Sequence, residues 1–247
     1  MADPDWDGLA RAHMSKQVAD AATVQAALAR LWEETIHPGY TAVTFAKFQE
    51  RAVPLIMAGR SISKAEAQRY FEAVHNLSGL DSDLADVYDY QWPERAAKSS
   101  LSAASGKALA RAEALHRAGA PSAATFELAK RAMLASAKRQ MLNAGRERIT
   151  GLTRTSGYGR WARVSDGNPC AFCLMLVGRG PVYTHDSVRF RAHDGCGCSA
   201  RPVLANESGW TPQAREARDL YDRLGGLGEL RARLDARKRA ETLGLAA

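Results

Sequence analysis

All four cysteines of this 247-residue chain lie in one stretch, PCAFCLMLVGRGPVYTHDSVRFRAHDGCGC, at positions 170, 173, 196 and 198. Cys170 and Cys173 form a C-x2-C pair, a spacing at which one tight turn presents two thiolates to a single ion. His193 then leads Cys196 and Cys198 in the pattern H-x2-C-x-C. Thiolate and imidazole are the donors zinc takes in structural sites, four at a time and tetrahedrally. Cys170, Cys173, His193, Cys196 and Cys198 offer five donors for four places, so one is left outside the set. Gly195 and Gly197 flank Cys196 and let the backbone bend closely around an ion. The expected cofactor is a structural zinc that staples a segment poor in large apolar side chains.

The same residues admit other chemistry. Disulfides are one alternative, opposed by the crowded C-x-C spacing and by the reducing compartment the N-terminus implies: Met-Ala-Asp-Pro-Asp has neither the basic nor the apolar region of a signal peptide. Four unconnected buried thiols are another. A catalytic metal is a third, requiring an open coordination position and a nearby general base, for which Asp194 and His185 are candidates. A lone histidine such as His13, His37, His75 or His116 reads as a surface or core residue. The chain has no phosphate-binding glycine loop, no G-x-S-x-G and no H-E-x-x-H, so no enzyme is expected.

The elements that position the cluster read as mostly helical. Val24, Leu28, Leu31 and Trp32 form one apolar stripe, predicted to end near Pro38-Gly39. Phe45, Phe48, Ala52, Val53 and Ile56 form a second, predicted to end around Gly59. A third helix is expected from Ser63, which with Glu66 is spaced as a capping box. Three short helices with tight connections suggest a bundle. Trp92-Pro93 marks a boundary, and two alanine-rich helices follow at about 95–117 and 121–149. In the second, Lys130, Arg131, Lys138, Arg139, Arg146 and Arg148 share one half of the helical wheel, a basic outer face. Short strands are expected in RTSGYGRWARV, GPVYTH and SARPVL. Thr211-Pro212 then opens a C-terminal helix broken at Gly225-Gly226.

Charge is uneven. Residues 1–97 carry 9 Lys/Arg against 14 Asp/Glu, while residues 98–163 carry 13 against 3. The basic block is a candidate contact surface for nucleic acid or an acidic partner, or else a solvated helix face. No apolar run approaches the roughly 18 residues of a membrane span, so no membrane partner is expected. The fold class expected is mainly α. A helical bundle at 1–149 (acidic 1–97, basic 98–149) precedes a small α+β Cys/His module at 150–204 and a helical tail at 205–247.

The stretch RTSGYGRWARVSDGNPCAFCLMLVGRGPVY…FRAHDGCGCSARPV resembles the C-terminal module of MuF-like phage head morphogenesis proteins, minor capsid proteins of tailed actinobacterial phages. The matching positions are Asp166, Cys170, Cys173, Gly180, His193, Cys196 and Cys198, and the likeness covers about residues 150–204. Asp194 departs from the proline common after that histidine. The resemblance implies a low-copy head protein beside the portal protein, with scaffold or major capsid protein and packaged DNA as further partners. It implies residence in the host cytoplasm during assembly and then inside the virion head. A metal-dependent nuclease and a zinc-ribbon DNA-binding protein are the alternatives.

Overall fold

The computed structural model describes residues 4–36, 41–80, 84, 92–119, 122–184 and 189–242. Among these the chain is mainly helical, in the order α1 (Trp6–Thr35), α2 (Ala42–Ser78), α3 (Glu94–Arg117), α4 (Ser122–Thr155), β1 (Arg160–Val164), α5 (Ala171–Val177), β2 (Ser199–Val203), α6 (Pro212–Leu224) and α7 (Leu227–Thr242). The first helix stops at Thr35, before the Pro38-Gly39 breaker, which itself lies outside the described residues along with His37 and His185. Asp5 caps the start of α1, its carboxylate accepting from the Gly8 amide at 2.8 Å.

The second and third expected helices are one. α2 runs unbroken from Ala42 to Ser78 and passes through Pro54, Gly59 and Ser63. Pro54 is exposed, so the backbone carbonyl it leaves without an amide partner faces water. Gly59 is no stop signal. A Cβ there would collide with the Met141 side chain, so its role is to let α4 approach closely. Ser63 caps nothing either. It is buried inside the helix, where its hydroxyl donates to Gln17 Oε1 at 2.5 Å and accepts from the Gly145 amide at 3.2 Å. The real cap lies 22 residues earlier, where Thr41 and Thr44 exchange side chain-to-backbone hydrogen bonds at 2.8 and 3.0 Å.

α4 is the central element, packed against α1, α2 and α3. One core lies among these four helices, with Leu28, Trp32, Phe48, Ile56, Leu101, Met133 and Met141 at its centre. Trp32 meets Phe48 edge-on, with centroids 5.3 Å apart. A second core joins Met14, Phe71 and Val74 to Ile149 and Leu152 of α4, and then to Tyr158, Trp161, Leu176 and Tyr183. The expected boundary at 149/150 therefore falls inside α4, and the Cys/His segment packs directly on the helical frame.

β1 and β2 pair antiparallel, Arg160 opposite Val203 and Val164 opposite Ser199. Among the described residues, the expected strand in GPVYTH contributes a single bridge, Tyr183 to Trp161. Thr211 caps α6 with proline in the first turn, and Gly225 ends it in the left-handed conformation, φ 77°.

Two expectations test this packing. A Cβ at Gly145 would meet Gln17 Nε2 at 2.5 Å and the Ser63 carbonyl oxygen at 2.9 Å, both held by hydrogen bonds. Gly145→Ala should lower the urea-unfolding free energy by roughly 1–3 kcal/mol through overpacking. His13 is buried against Tyr70, centroids 4.4 Å apart, and burial pulls its pKa down from 6.5 to about 4. The unfolded chain binds this proton below about 6.5 while the folded one does not until about 4, so this group's contribution to stability falls as pH drops across that window. His13→Phe, which keeps the ring stack, should make the unfolding free energy less steep between those pH values.

Candidate metal centre

Local sequence places the first pair of donors. Cys170 is the N-cap of α5, in extended conformation, and its sulfur accepts from the Cys173 amide at 3.4 Å. The C-x2-C spacing is thus the spacing of a cap and its first turn, and both sulfurs end on one side of a short helix. That helix was not among the expected elements. The second set comes from the loop 193–198, which turns at Gly195 with φ 79° before entering β2. At Gly197 the Asp166 carboxylate lies where a Cβ would stand.

The five donors converge. Cys170 Sγ lies 3.0 Å and Cys173 Sγ 3.3 Å from His193 Nε2, and Cys173 Sγ is 3.6 Å from Cys196 Sγ. Among the described residues they form two triads that share Cys173: Cys170–Cys173–His193, which is partly exposed, and Cys173–Cys196–Cys198, which is buried. All four cysteines are free thiols, so no disulfide competes for them. The groups are close enough to hold a metal ion. Zinc–sulfur bonds of about 2.3 Å give tetrahedral edges near 3.8 Å, so the spacing and the thiolate–imidazole chemistry both fit that ion. His193 Nδ1 lies 2.8 Å from the Asp194 carbonyl oxygen; donating there, the ring would be held with Nε2 toward the sulfurs.

Protons are shared unequally in the cluster. Cys173 is pushed up, first by its hydrogen bond to Cys170 and then by that to Cys196, and acts as the donor. Cys170 is pulled down to about 5, chiefly by that bond from Cys173. Cys196 is pulled down in the same way, aided by the bond from Cys198 and by the Arg146 charge. A cation held there would take over the role of the Cys173 proton.

Two buried guanidiniums back the thiols, and neither was expected in this place. Arg146 was read as part of a basic outer face. It is instead 2% exposed, donating to the Cys196 carbonyl at 2.7 Å and to the Cys198 carbonyl at 2.8 Å. The wheel put it beside its basic neighbours, but the loop 193–198 covers that part of α4. Arg163 of β1 donates to the Arg191 carbonyl at 2.6 Å and lies 3.9 Å from Cys173 Sγ. Phe190 stacks beneath both cations, its centroid 3.9 Å from the Arg163 guanidinium and 5.0 Å from that of Arg146. The signal available in the sequence was an arginine on a strand leading into C-x2-C and an aromatic residue just before the histidine.

The other basic residues of α4 divide. Arg139 pairs with Asp194 at 2.5 Å, tying the same loop down, and Gly195 donates its amide to the Ala135 carbonyl at 2.9 Å. Lys130 bridges Glu33, at 2.6 Å, and Glu127. Arg148 donates to Gln68 at 2.7 Å. Lys138 is half-buried, and Arg131 is exposed. At the open side of the cluster an opening of about 240 Å³ is bordered by His193, Asp194, Asp166 and Lys238 of α7.

Residues 4–224 match the family described as VG15 protein, which is phage-associated. No curated protein and no solved structure matches the chain. Among the described residues no helix is long and apolar enough to cross a membrane.

Arg146→Leu should cost about 2–4 kcal/mol in urea unfolding, because it removes three charge-assisted bonds, to the Cys196 and Cys198 carbonyls and to Asn143 Oδ1, and leaves two buried carbonyls unpaired. Arg131→Ala, on the same helix but exposed, should stay within about 0.5 kcal/mol of the parent.

Proposed function

Since the chain belongs to the phage-associated VG15 protein family, we propose that it is a structural, non-enzymatic head protein of a tailed phage. In this reading it is packaged inside the capsid beside the portal protein and contributes to head assembly and to DNA packaging or ejection. The observation that carries the reading is the convergence of Cys170, Cys173, His193, Cys196 and Cys198 in the spacing typical of MuF-like head proteins.

The metal would be zinc, held by Cys173 together with three of the other four donors. It would act as a clamp, cross-linking α5 to the loop before β2, and it would supply no reaction. Three thiolates with zinc leave one net negative charge, and four leave two. Arg146 and Arg163 stand beside the sulfurs to balance either. The module is latched to α4 by Arg139, Arg146 and the Ala135 carbonyl, so the clamp also fixes the surface formed by α7 and the loop. That surface, carrying Lys238 and exposed Arg231, is the side we assign to the portal. Any direct contact with packaged DNA would fall to exposed cations such as Arg131, since Lys130, Arg139, Arg146 and Arg148 are engaged within the chain.

Purified protein should carry about one zinc per chain by elemental analysis. Cys173→Ser should abolish it, because both triads use that sulfur. Mass spectrometry of purified virions should find the chain, and co-expressed portal protein should be retained on it. Metal-free protein, virions lacking the chain, or cleavage of DNA with magnesium or manganese that His193→Ala abolishes would each reject this assignment.

A further inference from the structure

A cleft of about 780 Å³ opens on the flank of α4, between the start of α3 and the Cys/His module. Its volume lies in the range of small-molecule and cofactor sites. Trp92 forms one wall, and Trp161 and Phe190 contribute to the other. The Arg60 guanidinium covers the Trp92 ring at 4.3 Å from its centroid, which holds the indole in place. Trp161 is packed between Tyr183 and Phe190, with centroids 4.4 and 5.4 Å away, so that wall is equally fixed.

The same cleft is cationic. Arg154 and Arg189 border it, both exposed, and among the described residues neither has a hydrogen-bond or ion-pair partner. Arg146 also borders it, though its donors are taken up by the cysteine carbonyls. One carboxylate, Glu147, faces these charges; it pairs with Arg60 at 3.6 Å and also feels the Arg189 charge, so Arg60 and Arg189 share a single negative charge. Arg154 and Arg189 thus give the cleft an excess of positive charge beside rigid aromatic walls.

We propose that this cleft binds a nucleoside phosphate group, with the base against Trp92 and the phosphate on Arg154 and Arg189. The ligand chemistry is a planar π face joined to an anion, which suits ring stacking at one end and guanidinium forks at the other. Such a group comes either from a single nucleic-acid strand or from a free nucleotide. A regular duplex hides its base faces and offers only its backbone. The inference stands on the cleft alone and does not need the head-protein reading.

The test is fluorescence anisotropy of the full chain with a labelled oligothymidylate of about 20 nucleotides, a blunt duplex of the same length, and free dTTP as competitor. Binding of the strand with weak competition by dTTP assigns the site to a strand, and competition at comparable concentration assigns it to the nucleotide. Both outcomes support the site. Trp92→Ala should weaken binding about ten-fold or more, the loss of one stacked base. The double variant Arg154→Glu/Arg189→Glu should weaken it at least as much and flatten the salt dependence. If Trp92→Ala lowers the thermal midpoint, the charge-reversal pair decides, since both its residues are exposed. Failure of both ligands to bind, equal affinity for the duplex, or parental affinity in the charge-reversal variant would overturn the proposal.

Discussion

A guanidinium cannot be buried without partners, and the Arg146 side chain is 2% exposed. Besides Asn143 Oδ1 on its own helix, its partners are the carbonyls of Cys196 and Cys198, which belong to the loop that must present two thiols. The desolvation of one charge thereby fixes the register of that loop on α4. The sulfurs follow from the backbone, because once both carbonyls point at Arg146 the two side chains face Cys173 of α5. Phe190 closes the arrangement by stacking under Arg146 and Arg163 together, so the second cation sits beside the Cys173 sulfur.

The rest of the molecule is organised to hold that helix. α1, α2 and α3 surround α4, with glycines at 59 and 145 where the helices come closest. The buried Gln17–Ser63–Gly145 network sets the rotation of α4 between α1 and α2, and rotation decides which residues meet the loop. A comparable charge cluster anchors the middle of the sheet. Arg201 of β2, 3% exposed, reaches Glu207 at 2.7 Å and Asp7 at 3.5 Å. Those contacts join the start of α1 to the far side of the Cys/His module. The metal-type cluster is therefore held among buried arginines, and Phe190 packs both against its cysteines and against the core that joins the module to the helices.

This arrangement gives another meaning to the basic block at 98–163. Most of its cations on α4 face the protein itself: Lys130 bridges two helices, Arg139 and Arg146 hold the loop, and Arg148 meets α2. The aromatic and basic cleft beside Trp92 arises where this helix emerges from beneath the module.

By itself the sequence determined whatever depends on neighbours along the chain. The C-x2-C and H-x2-C-x-C spacings, the Thr211-Pro212 start and Gly225 stop of α6, the strands around Trp161 and Pro202, and the mainly helical character all follow from local backbone preference and periodicity. Tertiary structure decided what depends on which surfaces meet. Gly59 and Ser63 look like a stop and a cap, yet become a helix crossing and a buried hydrogen-bond node because α4 packs there. A helical wheel likewise placed Arg146 among solvent-facing cations, because periodicity shows which residues share a face but not what covers it. The loop carrying Cys196 and Cys198 covers it, and only the fold brings residues 146 and 196 together.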